Sequence, residues 1–278
     1  MKTTRAARHS MWVFCLLLVA TVSFAQAPAE TKDFVPTEGQ QGKDVIWLPT
    51  AGSLVETMLN IAKVTAQDYV IDLGSGDGRT VIAAAKRGAR ALGIEYNPDM
   101  VEFSKKRAAE AGVADKAQFV KADIYESDFS QATVITMFLL PDLNVRLRPQ
   151  ILNLKPGTRI VSNTFTMGEW QPDQTAEATG EGCTTYCTAL FWLVPAKVEG
   201  EWKFPQGQLV LKQEFQKVTG TLTSGGKSAP IANGLLAGDQ LTFSVGDVQY
   251  VARVSGNTIQ GTYKSGQGSG TWGATRAQ

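Results

Sequence analysis

The rhythm of apolar and polar positions changes twice along the chain. A ten-residue run at 11–20 has no polar position, and residues 26–44, with Pro28, Pro36, Gly39 and Gly42, show no period and read as a linker. Order is expected from Val45-Ile46-Trp47-Leu48-Pro49-Thr50. Leu54, Val55, Met58, Leu59, Ile61 and Ala62 then recur at helical spacing, and Ser53 with Glu56 three residues on predicts a capping box. From Val70 the chain alternates between short β-rich runs at 70–73, 89–95, 117–120, 133–138 and 159–162 and helical stretches between them. Gly88 and Gly112 stop the first two of these helices, Asn97-Pro98 starts the second, and the third runs to about Leu154. This alternation predicts an α/β fold: a parallel, doubly wound sheet with helices on both faces and ligands at the carboxyl ends of the strands.

Beyond Pro195 the helical period is gone. Short β-like runs follow at 200–202, 208–213, 218–222, 231–235, 240–245, 249–254, 258–263 and 270–274. Gly, Asn, Ser or Asp punctuates most gaps, with Ala237-Gly238-Asp239 and Ser255-Gly256-Asn257 as hairpin loops. An up-and-down antiparallel meander closing into a small β-barrel is the expectation. The organisation is then a leader at 1–25, a linker at 26–44, an α/β domain at 45–196 and a β-rich domain at 197–278.

Composition narrows the functions. The chain has 278 residues, 43% of them hydrophobic, and a formal charge of +1, so no overall field draws it to nucleic acid or an anionic membrane. Its single histidine is His9, which removes Ser-His-Asp, Cys-His and His-ligated zinc chemistry from the body of the protein, and no metal is expected. Lys2, Arg5 and Arg8 before the apolar run, with Ser23 and Ala25 after it, form a secretory signal pattern cleaved after Ala25. The mature protein is therefore expected to be exported, periplasmic or secreted, with no membrane span left after cleavage. Cys183 and Cys187 then remain as a pair; a turn brings them within disulfide range and an extended strand does not.

The most informative stretch is Asp72-Leu73-Gly74-Ser75-Gly76-Asp77-Gly78-Arg79. Three glycines between a strand and a helix let a ligand approach the backbone beside unsatisfied first-turn amides. The spacing departs from the dinucleotide pattern, because Arg79 stands where the third glycine of G-x-G-x-x-G would be. Asp72, Glu95 and Asp123 close three successive strands.

These features resemble the S-adenosylmethionine loop and cofactor acids of the class I, Rossmann-like seven-strand methyltransferases. Leu48-Pro49-Thr50, Gly93-Ile94-Glu95-Tyr96-Asn97-Pro98 and Trp170 resemble more closely the small protein-lysine methyltransferase branch. The resemblance spans residues 47–173 and implies S-adenosyl-L-methionine as cofactor and a methyl acceptor that is a protein. It places Asp72, Gly74, Ser75, Gly76 and Gly78 at the methionine part, Glu95 at the ribose hydroxyls, Asp123 at the adenine amino group and Ile94, Ile124 or Tyr125 against the adenine, with Tyr96 also at the cofactor. Phe138, Pro141 and Trp170 would form the catalytic, acceptor side, with Phe165 as a further wall and Asp142 or Glu169 as proton acceptor. Phe138-Leu139-Leu140-Pro141 stands where amide and adenine methyltransferases carry Asn-Pro-Pro-Tyr or Asp-Pro-Pro-Tyr, which argues against a nucleobase nitrogen as acceptor. A non-catalytic nucleoside-binding protein on the same scaffold and a nicotinamide oxidoreductase are the competing readings.

Overall fold

The computed structural model describes residues 1–3, 34–180 and 182–277. The apolar run and the cleavage expected after Ala25 lie outside the described residues.

The alternating region forms α1 (Gly52–Ile61), β1 (Tyr69–Leu73), α2 (Arg79–Lys86), β2 (Arg90–Glu95), α3 (Pro98–Glu110), β3 (Ala117–Lys121), β4 (Val134–Met137), α4 (Pro141–Ile151), β5 (Arg159–Asn163), β6 (Gln174–Glu177) and β7 (Thr188–Leu193). They build one sheet of order β3-β2-β1-β4-β5-β7-β6. The first five strands are parallel, as expected, while β7 runs antiparallel to β5 and β6 antiparallel to β7. The alternating pattern does not announce these last two. Strand β6 is a four-residue edge with three exposed positions, and β7 is an apolar run without a period.

Helices α1, α2 and α3 bury Leu54, Val81 and Val101 on one face of the sheet. On the other face α4 buries Leu147 and Ile151 in a core that also holds Trp170 and Trp192. The start of α3 is as expected: Asn97 caps it by accepting the Asp99 amide at 2.9 Å, with Pro98 in the first turn. The capping box at α1 does not form. Ala51 is the N-cap, Ser53 sits inside the helix, and Glu56 is drawn to the guanidinium of Arg87 past the end of α2. A full opposite charge is a stronger partner for Glu56 than a backbone amide.

Beyond β7 come β8 (Gly200–Phe204), β9 (Gly207–Glu214), β10 (Lys217–Ser224), β11 (Lys227–Pro230), β12 (Ala232–Ala237), β13 (Gln240–Val245), β14 (Val248–Ser255), β15 (Thr258–Ser265) and β16 (Gly268–Arg276). Eight of them close into an antiparallel barrel through the β16–β8 and β9–β10 pairings, around Trp202, Leu209, Leu241, Phe243 and Ile259. Strand β11 is an addition to the eight expected runs and lies beside β10 outside the ring. The β9–β10 turn reaches back to the sheet domain. Phe215 stacks on Trp170 with ring centroids 6.0 Å apart, and Gln216 donates to the carbonyl of Gln171 at 2.9 Å.

Residues 34–50 are a strap rather than a featureless linker. Gly39 donates to Trp47 O and Trp47 donates to Gln40 O, at 2.9 and 2.8 Å, folding 39–47 into a hairpin over the carboxyl edge of the sheet.

Candidate active site

At the end of β1, Asp72 lies between Gly93 of β2 and Thr136 of β4. It is buried, and the Thr136 hydroxyl donates to its Oδ1 at 2.6 Å. Burial pushes the Asp72 carboxyl up to about 7; the Thr136 hydrogen bond opposes this, and the negative charges of Glu95 and Asp77 add to it. No cation pairs with Asp72 among the described residues.

The loop after it turns through left-handed glycines, Gly76 at φ +52° and Gly78 at φ +77°. A Cβ at Gly78 would stand 2.7 Å from the Phe119 ring, and one at Gly76 would enter the indole of Trp47. Only glycine permits this closeness of loop, strap and sheet. Asp77 fixes the loop from inside. Arg79 meets its carboxylate through Nε at 2.9 Å and Nη2 at 2.7 Å, and Arg107 of α3 binds it from the other side. Burial works against the Asp77 charge, but the hydrogen bonds and charges of Arg79 and Arg107 outweigh it and hold the carboxyl below the usual range. Arg79 also donates to the carbonyl of Thr50 at 2.7 Å, tying the strap to the loop.

Glu95, at the end of β2, accepts the Gly76 amide on Oε2 and the Asn97 amide on Oε1, each at 2.9 Å. Asp123 accepts the Tyr125 amide on Oδ1 at 2.9 Å, while its Oδ2 forms an ion pair with Lys43 of the strap. The Lys43 hydrogen bond is the largest influence holding the Asp123 carboxyl below its ordinary value.

These elements enclose a cavity of about 270 Å³. Asp72, Gly74, Ser75, Gly76, Glu95, Tyr96, Asp123, Ile124 and Phe138 all line it, where the sequence pattern places them. Three residues expected at the site do not. Gly78 caps α2 behind the loop, Pro141 opens α4 on the exposed side, and Trp170 is fully buried between Trp192 and Phe215. A tryptophan wrapped by the second core on every side cannot wall an acceptor channel. Of the two suggested proton acceptors, Glu169 pairs with Arg148 at 2.7 Å and Asp142 lies exposed in the first turn of α4; neither lines the cavity.

Phe138 and Phe165 do share one end of the cavity, stacked 5.9 Å apart, with Tyr186 against both rings at 5.5 Å. Sequence reasoning missed Tyr186, Lys43 and Trp47 as site residues. Tyr186 lies within the five-residue loop closed by the Cys183–Cys187 disulfide, so a bridged Cys pair flanking an aromatic was the available signal. Lys43 and Trp47 gave none, because their partners are distant in sequence.

The cavity suits an S-adenosyl group. Each Glu95 oxygen keeps a lone pair free beyond its amide contact, which matches two vicinal hydroxyl donors. Asp72 is a buried carboxylate without a cationic partner, which an ammonium or sulfonium would supply.

Comparison with known proteins agrees with this geometry. Residues 72–174 match the family model described as the ANTKMT methyltransferase domain. A protein-lysine N-methyltransferase of Saccharolobus islandicus is 43% identical over 133 residues, 47% of this chain and 83% of that protein. The chain belongs to this methyltransferase family. An ATP synthase lysine N-methyltransferase of Rattus norvegicus is 32% identical over 181 residues, 64% of this chain and 81% of the relative. A Salinibacter ruber structure described as an RNA methyltransferase in complex with S-adenosyl-L-homocysteine is 46% identical, covers 54% of this chain and 96% of its own, and superposes with a TM-score of 0.50.

The protein is thus an S-adenosyl-L-methionine-dependent methyltransferase whose barrel follows the catalytic domain. The bound cofactor supplies an electrophilic methyl group. With the cofactor held here, Asp72 would face its cationic part, Glu95 would offer acceptors to the ribose hydroxyls, and Phe138, Phe165 and Tyr186 would line the acceptor end.

Proposed function

We propose that this methyltransferase modifies the ε-amine of lysine in a protein outside the cytoplasm. The observation that carries the lysine assignment is the aromatic end of the cavity, formed by Phe138, Phe165 and Tyr186 beside the cofactor carboxylates. A lysine amine has a pKa near 10.4, so a neutral nucleophile at pH 7 costs roughly 4–5 kcal/mol. Uncharged rings that displace water lower that cost by disfavouring the ammonium form. A protein acceptor is supported by the rim, where Ile46, Tyr96, Leu140 and Tyr186 are large hydrophobic side chains left exposed around one opening. The relatives named for lysine methylation support the same reading. The name of the Salinibacter structure makes RNA the competing acceptor, and the Phe138-Leu139-Leu140-Pro141 segment argues against its base nitrogens.

The test is transfer of labelled methyl from S-adenosyl-L-methionine into a cell-envelope extract. Label in protein that survives base treatment and nuclease supports an amine acceptor, and label lost with nuclease contradicts it.

Export rests on the basic residues, apolar run and Ser23-Phe24-Ala25 of the leader, and on the Cys183–Cys187 disulfide, a bond that persists in oxidising compartments. Intact mass of the protein recovered outside the cytoplasm should begin at Gln26. A full-length chain confined to the cytoplasm would contradict it.

A further inference from the structure

The loop Cys183-Thr184-Thr185-Tyr186-Cys187 has a feature that packing alone does not require. Tyr186 stands at φ +56°, a left-handed conformation that a bulky aromatic rarely adopts, and the residue is nonetheless 41% exposed. Burial therefore does little to hold it there. The loop is closed instead by the disulfide, with the two Cα atoms 5.6 Å apart. Its far end is pinned where β7 begins, because Ala178 donates to the carbonyl of Cys187 at 2.8 Å and Thr164 donates to that of Thr188 at 2.7 Å. The consequence is the placement of one ring. Tyr186 lies 5.5 Å from both Phe138 and Phe165, tilted 59° and 51° to them, while those two are near-parallel at 18°. Two stacked rings and a third across them make a corner that presents π faces and edges to whatever enters.

For a compact, strongly hydrated primary ammonium the loss of water outweighs the attraction of the ring faces, so the corner favours the neutral amine. An alkylated ammonium, whose spread charge loses little hydration on entering, is held by those faces. We propose that Tyr186, held by the Cys183–Cys187 disulfide, is the specificity-determining residue for the acceptor, completing an aromatic enclosure that binds lysine and its methylated forms. This rests on the lysine reading above. Opening the disulfide frees Tyr186 to return to an ordinary φ and swing from the other two rings, so acceptor binding depends on the oxidised bond while the cofactor site, built from β1, β2 and the glycine loop, does not.

The experiment uses the full chain and a peptide carrying one lysine between neutral residues, with KM and kcat measured under saturating S-adenosyl-L-methionine. S-adenosyl-L-homocysteine affinity is measured in parallel. Tyr186→Leu should raise the peptide KM about five-fold or more, and Tyr186→Phe should restore it. Cys183→Ser/Cys187→Ser should raise KM similarly. So should treatment of wild type with a dithiol, which closes to its own disulfide as the protein bond becomes two thiols. Neither change should add to Tyr186→Leu. Nα-acetyl-trimethyl-lysine amide should bind wild type loaded with S-adenosyl-L-homocysteine more tightly than its uncharged tert-butyl isostere. Unchanged KM in Tyr186→Leu and in the reduced enzyme, with wild type active on the peptide, overturns the proposal. Wild type that binds the cofactor product yet methylates no lysine peptide overturns the lysine reading itself, and this inference with it.

Discussion

The carboxylate of Glu95 holds the glycine loop closed: its Oε2 accepts the amide of Gly76 at 2.9 Å, across the gap between the ends of β2 and β1. Its other oxygen accepts the Asn97 amide. A ribose contact at this residue would therefore be inseparable from the loop's own architecture. From the sequence alone Glu95→Ala looks like a clean removal of a ligand contact, since it ends a strand and buries little. The structure gives it two effects.

Glu95→Ala should weaken S-adenosyl-L-homocysteine binding at least about tenfold, from the loss of hydrogen bonds worth roughly 1.5–3 kcal/mol each. It should also lower stability by about 1–2 kcal/mol, because the Gly76 and Asn97 amides lose their acceptor. Glu95→Gln keeps one carbonyl acceptor and should fall between. Calorimetric titration with thermal unfolding of each variant measures both, and unchanged affinity in Glu95→Ala would remove Glu95 from the cofactor site.

Asp72 should make both stability and cofactor affinity depend on pH, in opposite directions. Its folded carboxyl is raised from 3.8 to about 7. Between those values the folded, ligand-free protein holds a proton that the unfolded chain has released, so stability falls as pH rises through that window. A cationic ligand prefers the ionised form, so affinity for S-adenosyl-L-methionine should rise as pH climbs through 7. Asp72→Asn should flatten both profiles and weaken binding at pH 8. Titrations across pH 5.5–8.5 decide it; a flat profile in wild type would contradict the assignment.

What could be read from the sequence follows the range of the interaction. Asp72, the glycine loop, Glu95 and Asp123 were legible because strand, turn and acid lie within a few residues of one another, and an alternating pattern places strand ends side by side. The Asn97-Pro98 helix start was local too. Lys43 was not legible, because its partner Asp123 lies 80 residues away. Tyr186 depends on a loop whose position is set by β7, and Trp170 was misplaced because nothing in its neighbours announces that Phe215 from the barrel covers it. The Ser53 and Glu56 pattern was local but lost to a distant charge, Arg87.

Arg79→Ala should destabilise the protein by about 1–3 kcal/mol, less than for a fully buried pair because Arg79 is partly exposed and Arg107 still faces Asp77. The Asp77 carboxyl is held below its ordinary range, so its contribution is present at neutral pH and lost as pH falls through the carboxylate range. Asp77→Asn should reduce the acid sensitivity of unfolding. Melting temperatures from pH 3 to 7 for wild type and both variants check this, and parallel curves would show that the clamp contributes nothing.

The barrel should be separable from cofactor binding but not without cost. A chain ending at Ala196 should still bind S-adenosyl-L-homocysteine, since none of the described residues beyond Ala196 lines the cavity. It should also melt lower than the full protein, because Trp170 loses the ring of Phe215. Phe215→Ala in the full chain should reproduce much of that loss, about 2 kcal/mol, with cofactor affinity unchanged. If the truncated chain loses cooperative unfolding, the two parts share one core.

The most direct measurement is tandem mass spectrometry of acceptor proteins after reaction with S-adenosyl-L-methionine carrying a deuterated methyl group. The account predicts deuterated methyl groups on the ε-nitrogen of lysine, reduced with Asp72→Asn at pH 8 and sub-saturating cofactor. Label found only on nucleobases, carboxylates or no acceptor, with an enzyme that binds its cofactor normally, would contradict it.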